Sequence, residues 1–269
     1  MPLTLPTHPL AVVPLKLWRP RWFDGVALTL SAIAPDVPFA LDGYPVPIRG
    51  HAVTAPLWWA VPFVLVTAPL VRWAAPTVAA HLPAGAPLAL RDYGVLGTVR
   101  HRWWVTATSA VLGAASHLGW DAFTHAGIDG GRITVPALRA VAPTGDPWWF
   151  LLSHASDTLG FAAAAALSLH CGQTRLVRRW YGPPPAAPRH PVAFWMVTGA
   201  VLTAGVATLP LHPVTSFASQ AVRTMLVTGL ALLAGAAAAR TVGNRSGVTG
   251  SGAHRGAVGA AQCLDGPAA

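Results

Sequence analysis

The chain has 269 residues, 53% of them hydrophobic and only 10% charged, with a mean hydropathy of +0.49. Soluble globular domains carry roughly 25% charged residues, so the composition excludes one and points to an integral membrane protein. The net charge of +9 comes from arginines scattered through short loops rather than gathered on one patch, which fits membrane topology and argues against a nucleic-acid partner.

Residues 7–36 predict a short helical hairpin. Thr7 can cap a first helix running to about Trp18, with Pro9 early in it where a missing N–H is tolerated. Arg19-Pro20-Arg21 turns the chain. A second helix from about Phe23 to Ile33 stops near Ala34-Pro35-Asp36, because proline disfavours helical geometry in the residue before it. Both helices fall well short of the roughly 20 residues that span a bilayer. Folded back, they return His8 and Asp36 to one end and leave Lys16, Arg19 and Arg21 near the other. The alternative, one spanning helix over 22–41, would separate His8 from Asp36.

A Pro- and Gly-rich loop over 42–50 follows, with His51 at its exit. Five apolar stretches then approach spanning length, at about 52–71, 103–120, 149–170, 193–211 and 217–239. Pro56, Pro62 and Pro69 predict a kink in the first. The tryptophan pairs Trp58-Trp59, Trp103-Trp104 and Trp148-Trp149 lie at or near segment ends and read as interfacial belts. Gly113 and Gly119 read as close-packing positions between helices. Pro183-Pro184-Pro185 marks a stiff linker over 181–192 between a membrane-embedded domain of residues 1–180 and a C-terminal helix pair over 193–240. Residues 241–269, rich in Gly, Ser and Ala without apolar periodicity, read as a disordered tail. The run Leu10 to Leu17 is short, broken by Pro14 and followed by no small-residue site, so no cleavable signal peptide is expected. Cys171 and Cys263 suggest neither a disulfide framework nor a zinc knuckle. The expected fold is an all-α polytopic membrane helical bundle with about five spanning helices plus the N-terminal hairpin.

The arginine bias orients this bundle. The linker 72–102 holds Arg72, Arg91, Arg100 and Arg102, the linker 171–192 holds Arg175, Arg178, Arg179 and Arg189, and the tail begins with Arg240, so these three belong on the cytoplasmic side. The connection at 212–216 has no arginine and the loop 126–148 only Arg132 and Arg139, which puts both outside a plasma (inner) membrane.

The most informative stretch is Ser116-His117-Leu118-Gly119-Trp120-Asp121-Ala122-Phe123-Thr124-His125. Four residues advance a helix by about 400°, so His117, Asp121 and His125 share one face. An imidazole and a carboxylate about 6 Å apart along a helix can turn onto one ion; His125, roughly 12 Å of rise from His117, joins them only if the helix has ended. The bland reading is a satisfied His117–Asp121 pair inside a buried helix. The arginine-derived topology places His117, Asp121 and His125 at the outer end of the second crossing and His51 at that of the first. A hairpin re-entering from outside brings His8 and Asp36 to the same face. The chain has no glutamate, so every acidic side chain is one of nine aspartates and glutamate-dependent metalloprotease motifs are excluded. In the third crossing His154 and Asp157 stand one turn apart, where an aspartate must face the bundle interior; Asp157 could orient a metal-bound histidine or merely pair with His154.

Three patterns carry a resemblance: Thr-x-x-x-His within Pro2 to Leu10, Ala34-Pro35-Asp36 closing an apolar helix, and Ser-His-x-x-Trp-Asp-x-x-Thr-His, which fixes six positions within ten. On these the chain resembles the bacterial membrane proteins catalogued as DUF4184, over roughly residues 1–180, including Gly-Asp-Pro-Trp-Trp-Phe at 145–150. That family looks related to membrane-bound metal-dependent hydrolases, and the resemblance implies His8, Asp36, His51, His117 and Asp121 as metal ligands. Ala52 stands where the family commonly has serine after the loop histidine, and Asp157 where it usually has a small hydroxyl residue.

The expectation is therefore a hydrolase of an ester or phosphoester, with a lipid or lipid-linked substrate at the outer interface, using one or two divalent ions, zinc by the histidine–carboxylate mixture. His125 and Asp157 are the expected proton-transfer residues. The alternatives are an ion or metal transporter, which would spread polar residues through the membrane depth, and a non-catalytic membrane protein whose cluster packs helices. The sequence lacks a nucleophile elbow, a phosphate-binding glycine loop and a Rossmann fingerprint.

Overall fold

The computed structural model describes residues 7–85, 87–126, 135–214 and 216–261, with side chains to residue 244. Thr4 of the first motif, Arg132 and Cys263 lie outside the described residues. The hairpin forms as two short helices, α1 (Thr7–Trp18) and α2 (Gly25–Ile33), rather than as one spanning helix over 22–41. Asp24 caps α2 by accepting the Ala27 N–H at 3.2 Å, satisfying a donor that the first turn leaves open. The chain does not leave helical geometry at Pro35. It tightens into a 3-10 helix, Ala34–Leu41, which suits two prolines that lack donors for an α ladder.

The first long helix lies further along the chain than its apolar run suggests. A π-helical turn at Pro56–Ala60 leads into α3 (Val61–His81), which carries Pro69 and Pro76 inside it. Arg72, expected to open a cytoplasmic linker, is instead buried in α3, where Asp24 pairs with it. An internal counter-charge removes the reason to end an apolar helix at a cation. Then follow α4 (Trp103–Thr124), α5 (Trp148–Gln173), the short α6 (Leu176–Tyr181), α7 (Pro191–Thr208) and α8 (Phe217–Ala261). The last runs into the segment 241–269 that composition marks as a disordered tail.

Among the described residues, four helical stretches are long and apolar enough to cross a membrane: Pro56–His81, Trp148–Gln173, Pro191–Leu211 and Phe217–Asn244. At 22 residues α4 is also long enough, about 33 Å. It misses the apolarity of the others because it carries polar residues on a buried face: Thr106, Ser109, His117 and Asp121. The expected five are thus four apolar spans and one amphipathic helix, whose polar face is buried while Trp103, Leu112 and Phe123 stay exposed on the other. Large apolar side chains such as Val66, Leu159, Met196 and Leu230 point outward, as a bilayer-facing surface requires.

Small residues hold the inner helices together. Ala27, Val64, Ala68 and Ala110 form one buried cluster joining α2, α3 and α4, and Ala34, Ala60 and Ala114 form another just beside it. A Cβ on Gly113 would lie 2.0 Å from Ser31 Oγ and 2.6 Å from the Leu28 carbonyl, so α4 approaches α2 as closely as only glycine permits. Gly119 has nothing within 4 Å of a Cβ position and is not a packing glycine. The C-terminal pair is docked on the rest: Phe194 of α7 and Ala236 and Ala239 of α8 pack on Ala74, and Arg223 of α8 donates to the carbonyls of Ala40, Asp42 and Val214.

Candidate metal centre

Three short elements and α4 converge at one end of the bundle. His8 comes from the first turn of α1, Asp36 from the 3-10 helix after α2, His51 from the loop before α3, and His117 and Asp121 from the last two turns of α4. Each approach has an identifiable local cause. A Cβ on Gly160 would sit 2.0 Å from Thr7 Oγ1, so glycine lets α1 press onto α5, where Thr7 Oγ1 also donates to the Ser156 carbonyl at 3.1 Å. Trp59 Nε1 donates to the Ala34 carbonyl at 2.7 Å and pins the turn that carries Asp36. A Cβ on Gly50 would lie 2.3 Å from the Pro35 carbonyl, so the residue before His51 must be glycine for the loop to reach Asp36.

The five side chains are buried, His117 completely. His51 Nε2 lies 3.1 Å from Asp36 Oδ1 and 3.3 Å from Asp121 Oδ2. His117 Nε2 lies 3.4 Å from Asp121 Oδ2, 3.6 Å from Asp36 Oδ1 and 3.3 Å from His51 Nε2. His8 Nε2 is 3.6 Å from Asp121 Oδ1, and its ring stacks on that of His117 at 3.7 Å. Two sets, His8/Asp36/His117 and His51/His117/Asp121, each offer three ligand atoms within 4.8 Å of one another. Both use His117, so the two sets are facets of one cluster.

The tautomer of His117 tests whether this donor set fits a cation. His117 Nδ1 faces the Ala32 carbonyl at 2.7 Å, and a carbonyl only accepts, so Nδ1 carries the proton. In the neutral ring Nε2 is then a lone pair, yet it faces two carboxylate oxygens and a second imidazole nitrogen. Such an arrangement is repulsive unless a proton or a metal ion sits among these atoms. A histidine whose far nitrogen donates to a backbone carbonyl is the usual partner arrangement of a metal-bound imidazole. Burial, and secondarily His117, lowers the His8 pKa to about 3, which keeps that ring neutral and able to ligate. Burial works to raise the Asp36 pKa, but attraction to the His117 and His51 imidazoles when these carry a proton outweighs it and lowers it to about 2, so the carboxyl is ionised. These buried groups can hold a metal ion.

His125 reaches the cluster because α4 ends at Thr124 and His125 adopts extended geometry, the condition on which its inclusion depends. Its Nδ1 lies 3.1 Å from Asp121 Oδ1 and 3.0 Å from Thr124 Oγ1. Asp157 stands on α5, with His154 and His125 among the charges that act on its carboxylate. It lies one residue past the buried Ser156, so its side chain turns about 100° away from the α1 contact. Its Oδ1 has no hydrogen-bond partner, and His154, its expected partner, faces the Phe150 carbonyl at 3.0 Å. Sequence reasoning missed Ala32, which enters through its backbone and has no side-chain signature, and it missed Trp120, whose Nε1 donates to Ser156 Oγ at 2.8 Å.

A family model described as a domain of unknown function, DUF4184, matches residues 1–242. The match runs past the residues 1–180 covered by the motif resemblance and takes in α7 and the apolar part of α8. No curated protein and no solved structure matches the chain.

Proposed function

The chain belongs to the DUF4184 family, and from its buried histidine–aspartate cluster we propose that it is a membrane-embedded, metal-dependent hydrolase of ester or phosphoester bonds in lipid or lipid-linked substrates. The observation that carries this reading is His117: its Nδ1–H is committed to Ala32, and it belongs both to the set with His8 and Asp36 and to the set with His51 and Asp121. A single Nε2 serves both ligand sets, which supports one shared centre. Three imidazoles with two carboxylates suit zinc better than calcium or magnesium, which prefer all-oxygen shells. A divalent ion held there supplies Lewis acidity and activation of water at neutral pH.

The chain's own groups complete the chemistry. Asp121 is shared between His117 and His51 through one oxygen and His125 and His8 through the other, so His125 is linked by a carboxylate to the centre and is placed to take up or return a proton. Asp157, with an unpartnered carboxylate oxygen on α5, is a second proton acceptor only for a substrate that reaches between α4 and α5. A groove of about 810 Å³ runs along α1, α4 and α5; its lining includes Thr7 and Thr124, the chain neighbours of His8 and His125, with Leu10, Phe123, Leu152 and Leu159 among its walls. Its apolar walls suit an acyl or prenyl chain whose polar end meets the cluster. The arginine distribution supports a plasma-membrane protein with this centre toward the extracytoplasmic face.

Elemental analysis of detergent-purified protein beside the His117→Ala/Asp121→Ala variant tests the reading. Near-stoichiometric zinc or manganese in the wild type and its loss from the variant is the expected result, followed by hydrolysis of lipid esters by the wild type alone. Absence of metal from both proteins favours the non-catalytic packing reading and overturns ours.

A further inference from the structure

A second buried polar group lies at the other end of the hairpin, two turns of α1 away from His8 and outside the chemistry above. Asp24 accepts from Ala27 N, from Thr106 Oγ1 at 2.7 Å and from Arg72, while Ser109 Oγ accepts the Asp24 N–H. Arg72 is 7% exposed, and its Nε is buried with no hydrogen-bond partner. Beside it, Lys16 Nζ donates to the carbonyls of Pro20 and Phe23 and to the Tyr181 hydroxyl, all neutral acceptors. Two cations therefore share one carboxylate. Burial, opposed by Asp24 and reinforced by Arg72, lowers the Lys16 pKa to about 8, the mark of an ammonium short of negative charge.

These groups border a partly open cavity of about 380 Å³ between α1, α2, α3, α5, α6 and residues 93–101, a size typical of ligand sites. Its walls are otherwise mostly apolar, among them Val13, Leu30, Val71, Leu96, Leu167 and Val177, with His101 at one side. The surroundings have the character of a membrane interface. Trp180 and Tyr181 line the cavity, Arg178 and Arg179 of α6 are exposed, and Arg19 lies over the exposed rings of Trp18 and Trp22. Basic pockets between helices, rimmed by aromatic and basic side chains, are where acidic headgroups bind. An apolar ligand would leave the second of the two cations uncompensated, and a free anion would leave the apolar walls unfilled.

We propose that this cavity binds one anionic membrane lipid, an acyl chain lying among the apolar walls and the acidic headgroup meeting Lys16 and Arg72. The site is independent of the metal centre.

Native mass spectrometry of the full-length protein, titrated with dioleoyl phosphatidylglycerol or with dioleoyl phosphatidylcholine, separates the headgroup from the chains. We expect phosphatidylglycerol to be retained at least tenfold more tightly. Lys16→Met leaves the Asp24–Arg72 pair in place, and Leu167→Trp fills the cavity without touching a charge; each brings phosphatidylglycerol down to the phosphatidylcholine level. Equal retention of the two lipids by the wild type, a comparison that needs no variant to fold, overturns the proposal. So does unchanged phosphatidylglycerol binding in both variants when they elute as the wild type does.

Discussion

Single side chains at both polar groups have measurable consequences. Gly50 is held to a hydrogen side chain by the Pro35 carbonyl, which is backbone and cannot swing away. Gly50→Ala is expected to cost about 1–3 kcal/mol of stability by overpacking and, because it lifts His51 off Asp36, to weaken metal retention; calorimetry and elemental analysis of one preparation check both. Lys16 makes a pH-dependent contribution. The folded ammonium releases its proton near pH 8 and the unfolded one near 10.5, so in that window the unfolded chain binds more protons and stability rises with pH. The groups facing it are Asp24, Arg72, His101 and Tyr181. Thermal melts in lipid-free detergent should therefore show the wild type gaining on Lys16→Met between pH 8 and 10.5; a constant difference removes Lys16 as the cause. At this scale the five candidate ligands were legible, since the four-residue spacing of His117 and Asp121 and the Ala34-Pro35-Asp36 tripeptide are side-chain patterns. The Ala32 carbonyl was not, because every residue has one.

Elements position these residues through close approaches. The α2–α4 contact sets the distance between Ala32 and His117, and Gly113 is its closest point. Gly113→Val is expected to push α4 off α2, lengthen the Ala32–His117 hydrogen bond and release bound metal even though no ligand is touched. A wild-type metal content in that variant would show that the helices accommodate the added side chain. The reading of Gly119 as a second packing glycine fails because its surroundings are open; spacing alone does not tell which face of an apolar helix meets a neighbour. The same ambiguity displaced α3. Arg72 looked like a loop residue because the sequence does not show that Asp24, 48 positions earlier, lies beside it.

For the whole molecule, the prediction concerns orientation. With Cys171 and Cys263 replaced by serine, Val53→Cys near the metal centre and Arg178→Cys near the second cavity report on opposite ends of the bundle. A membrane-impermeant maleimide applied to intact cells should label the first and spare the second; the reverse pattern overturns the arginine-derived topology. Composition by itself determined the class, because 53% hydrophobic residues with 10% charged cannot be solvated as a soluble domain. Periodicity and spacing determined the hairpin and most helix positions, and the motif resemblance named the candidate ligands. Only the tertiary structure decided that these ligands meet, since His8, Asp36, His51 and Asp121 converge through contacts between elements far apart in the chain. It also decided that Arg72 is an interior residue paired with Asp24. The physical reason is the same in each case: the energy of a buried charge is set by its partners in space, and a linear pattern does not record them.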